Sequence, residues 1–277
     1  MISGSTALIA HIGYPTDTFK SPLIYNPHFE RTGIDAVVMP MGCHADNFPA
    51  LLRALFKLTN LRGAIITMPL KVAVVALLDD MSPTVRVAGS CNAVRLMADG
   101  RLQGDMFDGE GFVRGLRRKG MRVEGARAFV AGCGGVGTAI AASLAGAGVA
   151  ALSLYDARGE AAQALSARLA QFHPALRLSV GSSDPAGHEL VVNATPLGMN
   201  EGDPMPVEVA RIDADAFVGE VVMKQEMTAF LKAALARGCR YQVGTDMLFE
   251  QIPAYLEFFG FPPATPDQLR AVARIRY

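Results

Sequence analysis

The chain has 277 residues, 51% of them apolar and 19% charged, so it fills one large or two ordinary domains, buries a sizeable core and is not disordered. Its 26 basic and 26 acidic side chains cancel, which leaves no electrostatic footprint for nucleic acid or an anionic membrane surface. Cys43, Cys91, Cys133 and Cys239 lie far apart without metal spacing, and neither a leader peptide nor a bilayer-length apolar run is evident; these features imply a cytoplasmic protein with reduced thiols and no metal.

Thr6 to Ile12 reads as a first strand, closed by Gly13 and Pro15 and followed by a loop through Lys20. Ser21-Pro22 offers a serine N-cap and a proline in the first turn of a helix. Ile34 to Pro40 is a second strand, and leucines at 51, 52, 55 and 58 give helical spacing over Asp46 to Leu58. Arg62 to Met68 is a third strand, after which Pro69-Leu70-Lys71 begins a helix to about Leu78. This alternation implies a parallel sheet with helices on its faces. Asn92 to Met97 and the run from Leu102, joined at Asp99-Gly100, form a hairpin, and Asp108 to Lys119 a helix.

The most informative stretch follows. A short apolar run, Ala128 to Ala131, meets Gly132, Gly134 and Gly137, and a small-residue helix continues to about Ala147. Strand, G-x-G-x-x-G and helix together make a dinucleotide fingerprint. The first glycine permits the turn, the second admits a pyrophosphate, the third lets helix and strand pack, and the helix N-terminus faces the anion. A second apolar run, Ala151 to Tyr155, ends at Asp156, about 20 residues past the last glycine, where a carboxylate receives ribose hydroxyls. The competing reading is an ordinary strand–turn–helix. Beyond it come a helix from Glu160 to Phe172, strands at Ala175–Val180, Glu189–Ala194 and Phe217–Met223, and a helix from Met227 to Arg237. Arg240 to Val243, a long segment from Thr245 to Phe259 and a helix after Pro266 close the chain.

A bound nicotinamide implies hydride transfer, and the protein must then move a proton. The five histidines, His11, His28, His44, His173 and His188, give no convincing loop position at a strand end. Lys71 is the better candidate, since it follows a strand and a proline at the carboxyl edge where open α/β sheets bind ligands. Asp108, heading a helix after another strand, is a carboxylate that could orient it; a surface lysine at a helix start is the plainer alternative.

Seven pieces in order resemble the shikimate dehydrogenase family over nearly the whole chain. They are Gly13-Tyr14-Pro15 with Lys20-Ser21-Pro22, Thr67-Met68-Pro69-Leu70-Lys71, Ala88-Gly89-Ser90-Cys91-Asn92 and Gly104-Asp105-Met106-Phe107-Asp108-Gly109. The glycine loop, Asn193 to Met199, and Gly244 to Gln251 complete the set. The resemblance implies a two-domain α/β fold: an N-terminal open α/β substrate domain, a Rossmann-like NAD(P)-binding domain, and C-terminal helices returning to the first. We set the boundaries at 1–104 with 239–277, and 105–238. It implies reversible reduction of a 3-dehydro ring acid to the alcohol, with Lys71 as acid/base and Asp108 as its partner. Ser21, Thr67, Asn92 and Gln251 would bind a small cyclic hydroxy acid. Gly132, Gly134, Gly135, Val136, Gly137, Asp156, Arg158, Thr195, Val221 and Gly244 would hold the cofactor, in a monomer or homodimer. A quinate dehydrogenase of the same family, or a non-catalytic NAD-binding regulator with a decayed substrate pocket, are the alternatives.

The chain departs from the family pattern at three polar positions, which here are Phe19, Ile65 and Met223. Each hydrogen bond left unmatched costs roughly 1–3 kcal/mol, so the expectation is weak action on shikimate and a less polar preferred relative. After the second Rossmann strand the chain reads Tyr155-Asp156-Ala157-Arg158, where the family commonly has Asn-Arg-Thr. A carboxylate there accepts from a 2′-hydroxyl and repels a 2′-phosphate, so NAD is expected to be preferred, with NADP possible through Arg158.

Overall fold

The computed structural model describes residues 2–275, and both of its sheets grow from the apolar runs read above. The described chain divides into two units: residues up to Phe107 together with those from Gln251 onward, and Asp108–Glu250. Among the described residues no helix is long and apolar enough to cross a membrane.

In the first unit, strands β1 (Ala7–Gly13), β2 (Ala36–Gly42), β3 (Leu61–Ile66), β4 (Asp80–Met81), β5 (Ala93–Leu96) and β6 (Leu102–Asp105) form one sheet in the order β2-β1-β3-β5-β6-β4. β1 is central and pairs in parallel with both β2 and β3, and Ile9, Ala10 and Ile12 are fully buried. The hairpin turn at Asp99-Gly100 makes β5 antiparallel to β6, and β5 also runs against β3, so the sheet is mixed. Helices α1 (Pro22–Thr32), α2 (Phe48–Leu55) and α3 (Pro83–Ala88) connect the strands. Ser82 caps α3 by accepting from the Val85 N–H, and Gly89 closes it at φ 66°.

Two local expectations are corrected. Ser21 precedes α1 in helical conformation and its hydroxyl caps nothing. The segment after Pro69 is not an α-helix but a 3-10 turn, Ala73–Leu77. The cause is tertiary: the Lys71 carbonyl, which a helix would spend on residue 75, accepts from the Cys91 N–H at 2.8 Å.

The second unit is a six-stranded parallel sheet. Its strands are β7 (Arg127–Ala131), β8 (Ala151–Tyr155), β9 (Arg177–Val180), β10 (Leu190–Asn193), β11 (Phe217–Glu220) and β12 (Arg240–Gln242), in the order β12-β11-β10-β7-β8-β9. The order reverses between β7 and β10, the switch point where doubly wound sheets open a crevice. Helices α4 (Asp108–Arg118), α5 (Gly135–Gly146), α6 (Gly159–Phe172) and α7 (Ala229–Ala236) cover it. Phe129, Val191, Val218, Phe230 and Leu231 form part of its buried core. Gly109 lets α4 lie against α5, because a side chain there would strike the Ala139 carbonyl.

The second division falls inside α8 (Gly244–Phe258), later than the expected break near Cys239. Before it, Asp246 pairs with Lys119 at 2.8 Å in the second unit. After it, Tyr255 packs edge-on against Phe107 in the first unit, centroids 4.9 Å apart, and Ile252, Leu256 and Phe259 are buried. A short helix α9 (Pro266–Arg270) follows, with a full capping box at Thr265 and Gln268.

Candidate active site

In the second unit the glycine loop leaves β7 at the switch point. Gly132 has φ 96°, and a Cβ on it would stand 2.9 Å from the Thr195 nitrogen, so the loop lies directly on the backbone after β10. A side chain at Gly137 would collide with the Gly132 carbonyl. At Gly134, in contrast, the Cβ direction is open space. Gly135 and Val136 open α5, whose N-terminus carries no side-chain cap. Open space at the second glycine, at the N-terminus of α5, fits a pyrophosphate.

Asp156, just past β8, is tied into the same loop. Its Oδ2 accepts from the Cys133 N–H at 2.7 Å and its Oδ1 from the Arg158 N–H at 2.9 Å. The Arg158 guanidinium lies 3.6 Å from that carboxylate with its side chain 77% exposed. A carboxylate has about four lone-pair sites, so acceptor capacity remains for a ribose hydroxyl. Thr195 donates to the Asn193 Oδ1 at 2.6 Å and accepts from the Leu197 N–H at 3.1 Å, which fixes the turn that meets Gly132. Gly244 and Val221 are also brought together: a Cβ on Gly244 would strike the Val222 carbonyl and stand 2.9 Å from the Val221 carbonyl carbon. Met223 is half-buried on the same segment. At the end of β11, Glu220 is fully buried and accepts from the Thr228 hydroxyl at 2.9 Å; burial pushes its carboxyl up to about 7. Asp108 lies in the first turn of α4, 3% exposed.

In the first unit the polar side chains gather at the carboxyl ends of β1 and β3. The Tyr14 N–H donates to the Met68 carbonyl at 2.9 Å and the Thr67 N–H to the Ile12 carbonyl, also at 2.9 Å. The two loops that carry Ser21 and Lys71 therefore start side by side, both at cis prolines, Pro15 and Pro69. Lys71 is joined through its carbonyl to Cys91, one residue before Asn92. Asn92 is fully buried; its Oδ1 accepts from the Phe107 N–H at 3.0 Å, while its Nδ2 has no partner among the described residues. The Tyr255 hydroxyl donates to the Asn92 carbonyl at 3.2 Å. Gln251, one helical turn earlier on that face of α8, is buried with its Oε1 unpartnered among the described residues. Buried amide atoms without partners are exceptional and point to a ligand that supplies the missing bonds.

Sequence reasoning passed over His11. It lies inside β1, buried, with its ring stacked on Phe19 at 4.0 Å between centroids. Burial first, and the charge of Lys71 second, bring its pKa to about 3. The available signal was a lone imidazole in an apolar strand two residues before Gly13. Lys71 belongs to the first unit and Asp108 to the second.

Comparison with known proteins bears on both units. A family model described as the shikimate dehydrogenase substrate binding domain matches residues 11–94. The shikimate dehydrogenase (NADP(+)) of Acidiphilium cryptum is 35% identical over 275 residues, spanning 99% of this chain and 98% of that one. The structure of shikimate 5-dehydrogenase from Listeria monocytogenes, in complex with shikimate and NAD, superposes with a TM-score of 0.88 at 25% identity over 98% of this chain and 97% of that one. Quinate dehydrogenase from Corynebacterium glutamicum, in complex with NAD, gives 0.85 at 30% identity, over 96% and 98%.

Proposed function

The chain belongs to the shikimate dehydrogenase family, and from that premise we propose how its residues carry the reaction. It is an NAD(P)-dependent oxidoreductase of CH–OH groups, exchanging hydride reversibly between the dinucleotide and a ring hydroxyl of shikimate or a related cyclic hydroxy acid. When bound, the nicotinamide supplies or receives the hydride. Lys71 is the proton carrier: its ammonium protonates the carbonyl oxygen during reduction, and its amine takes the hydroxyl proton during oxidation. Asp108 is the carboxylate that orients it. Ser21, Thr67, Asn92 and Gln251 bind the ring substituents. The observation that carries this reading is the pair of unpartnered buried amide atoms, Asn92 Nδ2 and Gln251 Oε1, on elements bonded to the Lys71 segment.

NAD is the preferred cofactor in this reading. Asp156 at the end of β8 supports it, because a carboxylate engaged with the loop at 2.7 Å cannot retreat from a 2′-phosphate. The curated relatives carry NADP(+) in their names, so the preference sets this chain apart from them. The ratio of kcat/KM for the two cofactors decides it; a tenfold advantage for NADP would refute the proposal. A quinate dehydrogenase is the second reading, favoured by the 30% identity to the Corynebacterium glutamicum enzyme. Steady-state rates on shikimate and quinate separate the two. Lys71→Ala is expected to lower turnover by about 10²–10⁴-fold with cofactor binding retained. Retained turnover in that variant would remove Lys71 from the chemistry.

A further inference from the structure

β1 carries an imidazole where its other inward residues are aliphatic. His11 is in parallel register with Ile65 of β3, so the two side chains leave the same face of the sheet. The Phe19 ring lies on the imidazole with planes 23° apart. The same phenyl reaches over Gly13, its Cζ 3.3 Å from where a Cβ would stand, and that position also abuts the Thr67 methyl. His11 and Ile65 are each 4% exposed. Lys71 is close enough for its charge to act on the imidazole, which burial already holds neutral. The His11 Nδ1 makes no hydrogen bond among the described residues.

A buried polar atom without a partner costs about 1–3 kcal/mol, and a ligand that supplies the bond recovers it. A neutral imidazole nitrogen donates or accepts according to its tautomer, and a hydroxyl matches either. A carboxylate in the same place would lose its water against a phenyl ring and an isoleucine; the neutral imidazole would return no charge to it, and the nearby Lys71 is already committed to the reacting oxygen. Phe19, a half-buried side chain on a loop, lies over one face of this imidazole, so the wall beside the nitrogen is built in part from a loop residue rather than a strand residue.

We propose that His11 is a specificity-determining residue of the substrate site: its Nδ1 binds a substrate hydroxyl within a wall, shared with Phe19 and Ile65, that disfavours a carboxylate. The preferred substrate is then a polyhydroxylated ring that is uncharged at this wall, of the kind a ring-acid ester or amide represents. The inference rests on the reading of Lys71 as proton carrier.

Two comparisons test it. The first is kcat/KM of the wild type for shikimate and for its methyl ester, and of Phe19→Ser for the same pair. The ester is expected to lead by tenfold or more in the wild type, and that lead to shrink at least tenfold in Phe19→Ser. A wild type that handles the acid as well as the ester overturns the proposal. The second is His11→Phe, which keeps the ring stack and removes the nitrogen, assayed on the ester and on the two monodeoxy analogues that keep the hydroxyl to be oxidised. A loss of tenfold or more on the parent, absent for one deoxy analogue alone, is the expected result. No loss, or an equal loss on every analogue, overturns it. Failure of the underlying reading looks different, since Lys71→Ala would then keep its turnover on acid and ester alike. Calorimetric affinities of the same compounds for wild type, Phe19→Ser and His11→Phe then decide the inference by the same ratios, and an absence of binding by the ester overturns it.

Discussion

Two buried titratable groups, one in each unit, give opposite dependences of stability on pH. His11 has its pKa lowered to about 3 by burial and by Lys71, from an ordinary 6.5. A group depressed in this way contributes stability that is present above pH 6.5 and is lost as the pH falls toward 3, because the unfolded chain takes up a proton the folded one refuses. Integrated from pH 8 to pH 5, the loss is about 2 kcal/mol in the unit that holds His11. Glu220 is raised to about 7 by burial, from 4.5. Its contribution is fully present below pH 4.5 and is lost as the pH rises through 7, so over the same interval the second unit gains about 2.5 kcal/mol on acidification. The assay is urea denaturation of wild type, His11→Phe and Glu220→Gln at both pH values, with amide hydrogen exchange assigning each change to its unit. His11→Phe is expected to gain about 2 kcal/mol relative to wild type between pH 8 and pH 5, and Glu220→Gln to lose about as much. Curves for His11→Phe that stay parallel to wild type would refute the claim that this imidazole is buried and neutral beside Lys71.

Three further outcomes are expected. Asp108→Asn should lower kcat by tenfold or more while leaving the cofactor KM unchanged, since it disturbs the proton carrier rather than the dinucleotide; steady-state kinetics checks this. Asp156→Ala removes both the acceptor for a ribose hydroxyl and the anchor of the Cys133 N–H, so kcat/KM should fall with either cofactor, but at least tenfold further with NAD than with NADP. Gly244→Ala drives a Cβ into the Val222 carbonyl, and urea denaturation should report a loss of about 1–3 kcal/mol.

Most of the fold is legible in the sequence because two periodicities and one glycine pattern repeat without conflict. Strands β7 and β8 and the turn between β7 and α5 follow from apolar runs meeting glycine and aspartate, and the hairpin of β5 and β6 from Asp99-Gly100. What fails is what depends on a distant partner. Pro69 to Leu78 carries the residues of a helix start, yet Cys91, twenty residues on, takes the Lys71 carbonyl and leaves only a 3-10 turn. The break near Cys239 follows a restart of the strand–helix alternation, whereas the physical division waits until Tyr255 and its neighbours bury against Phe107 and Asn92. Asp156 reads as a ribose ligand from its spacing alone; its second duty, holding the loop through the Cys133 N–H, needs coordinates.

The two altered positions in the first unit are not independent of each other. In the sequence Phe19 and Ile65 stand 46 residues apart and read as two separate losses of a polar contact, whose costs would add. In the structure both border one side chain: Phe19 stacks on His11 and Ile65 pairs with it across the sheet. Residues that share a partner couple, so their energetic effects cannot be summed as if they were independent. A polar side chain at either position would border the same buried neutral imidazole, whose Nδ1 makes no hydrogen bond among the described residues. The three residues are therefore one physical unit, and substitutions at Phe19 and Ile65 are expected to be non-additive in a double-mutant cycle.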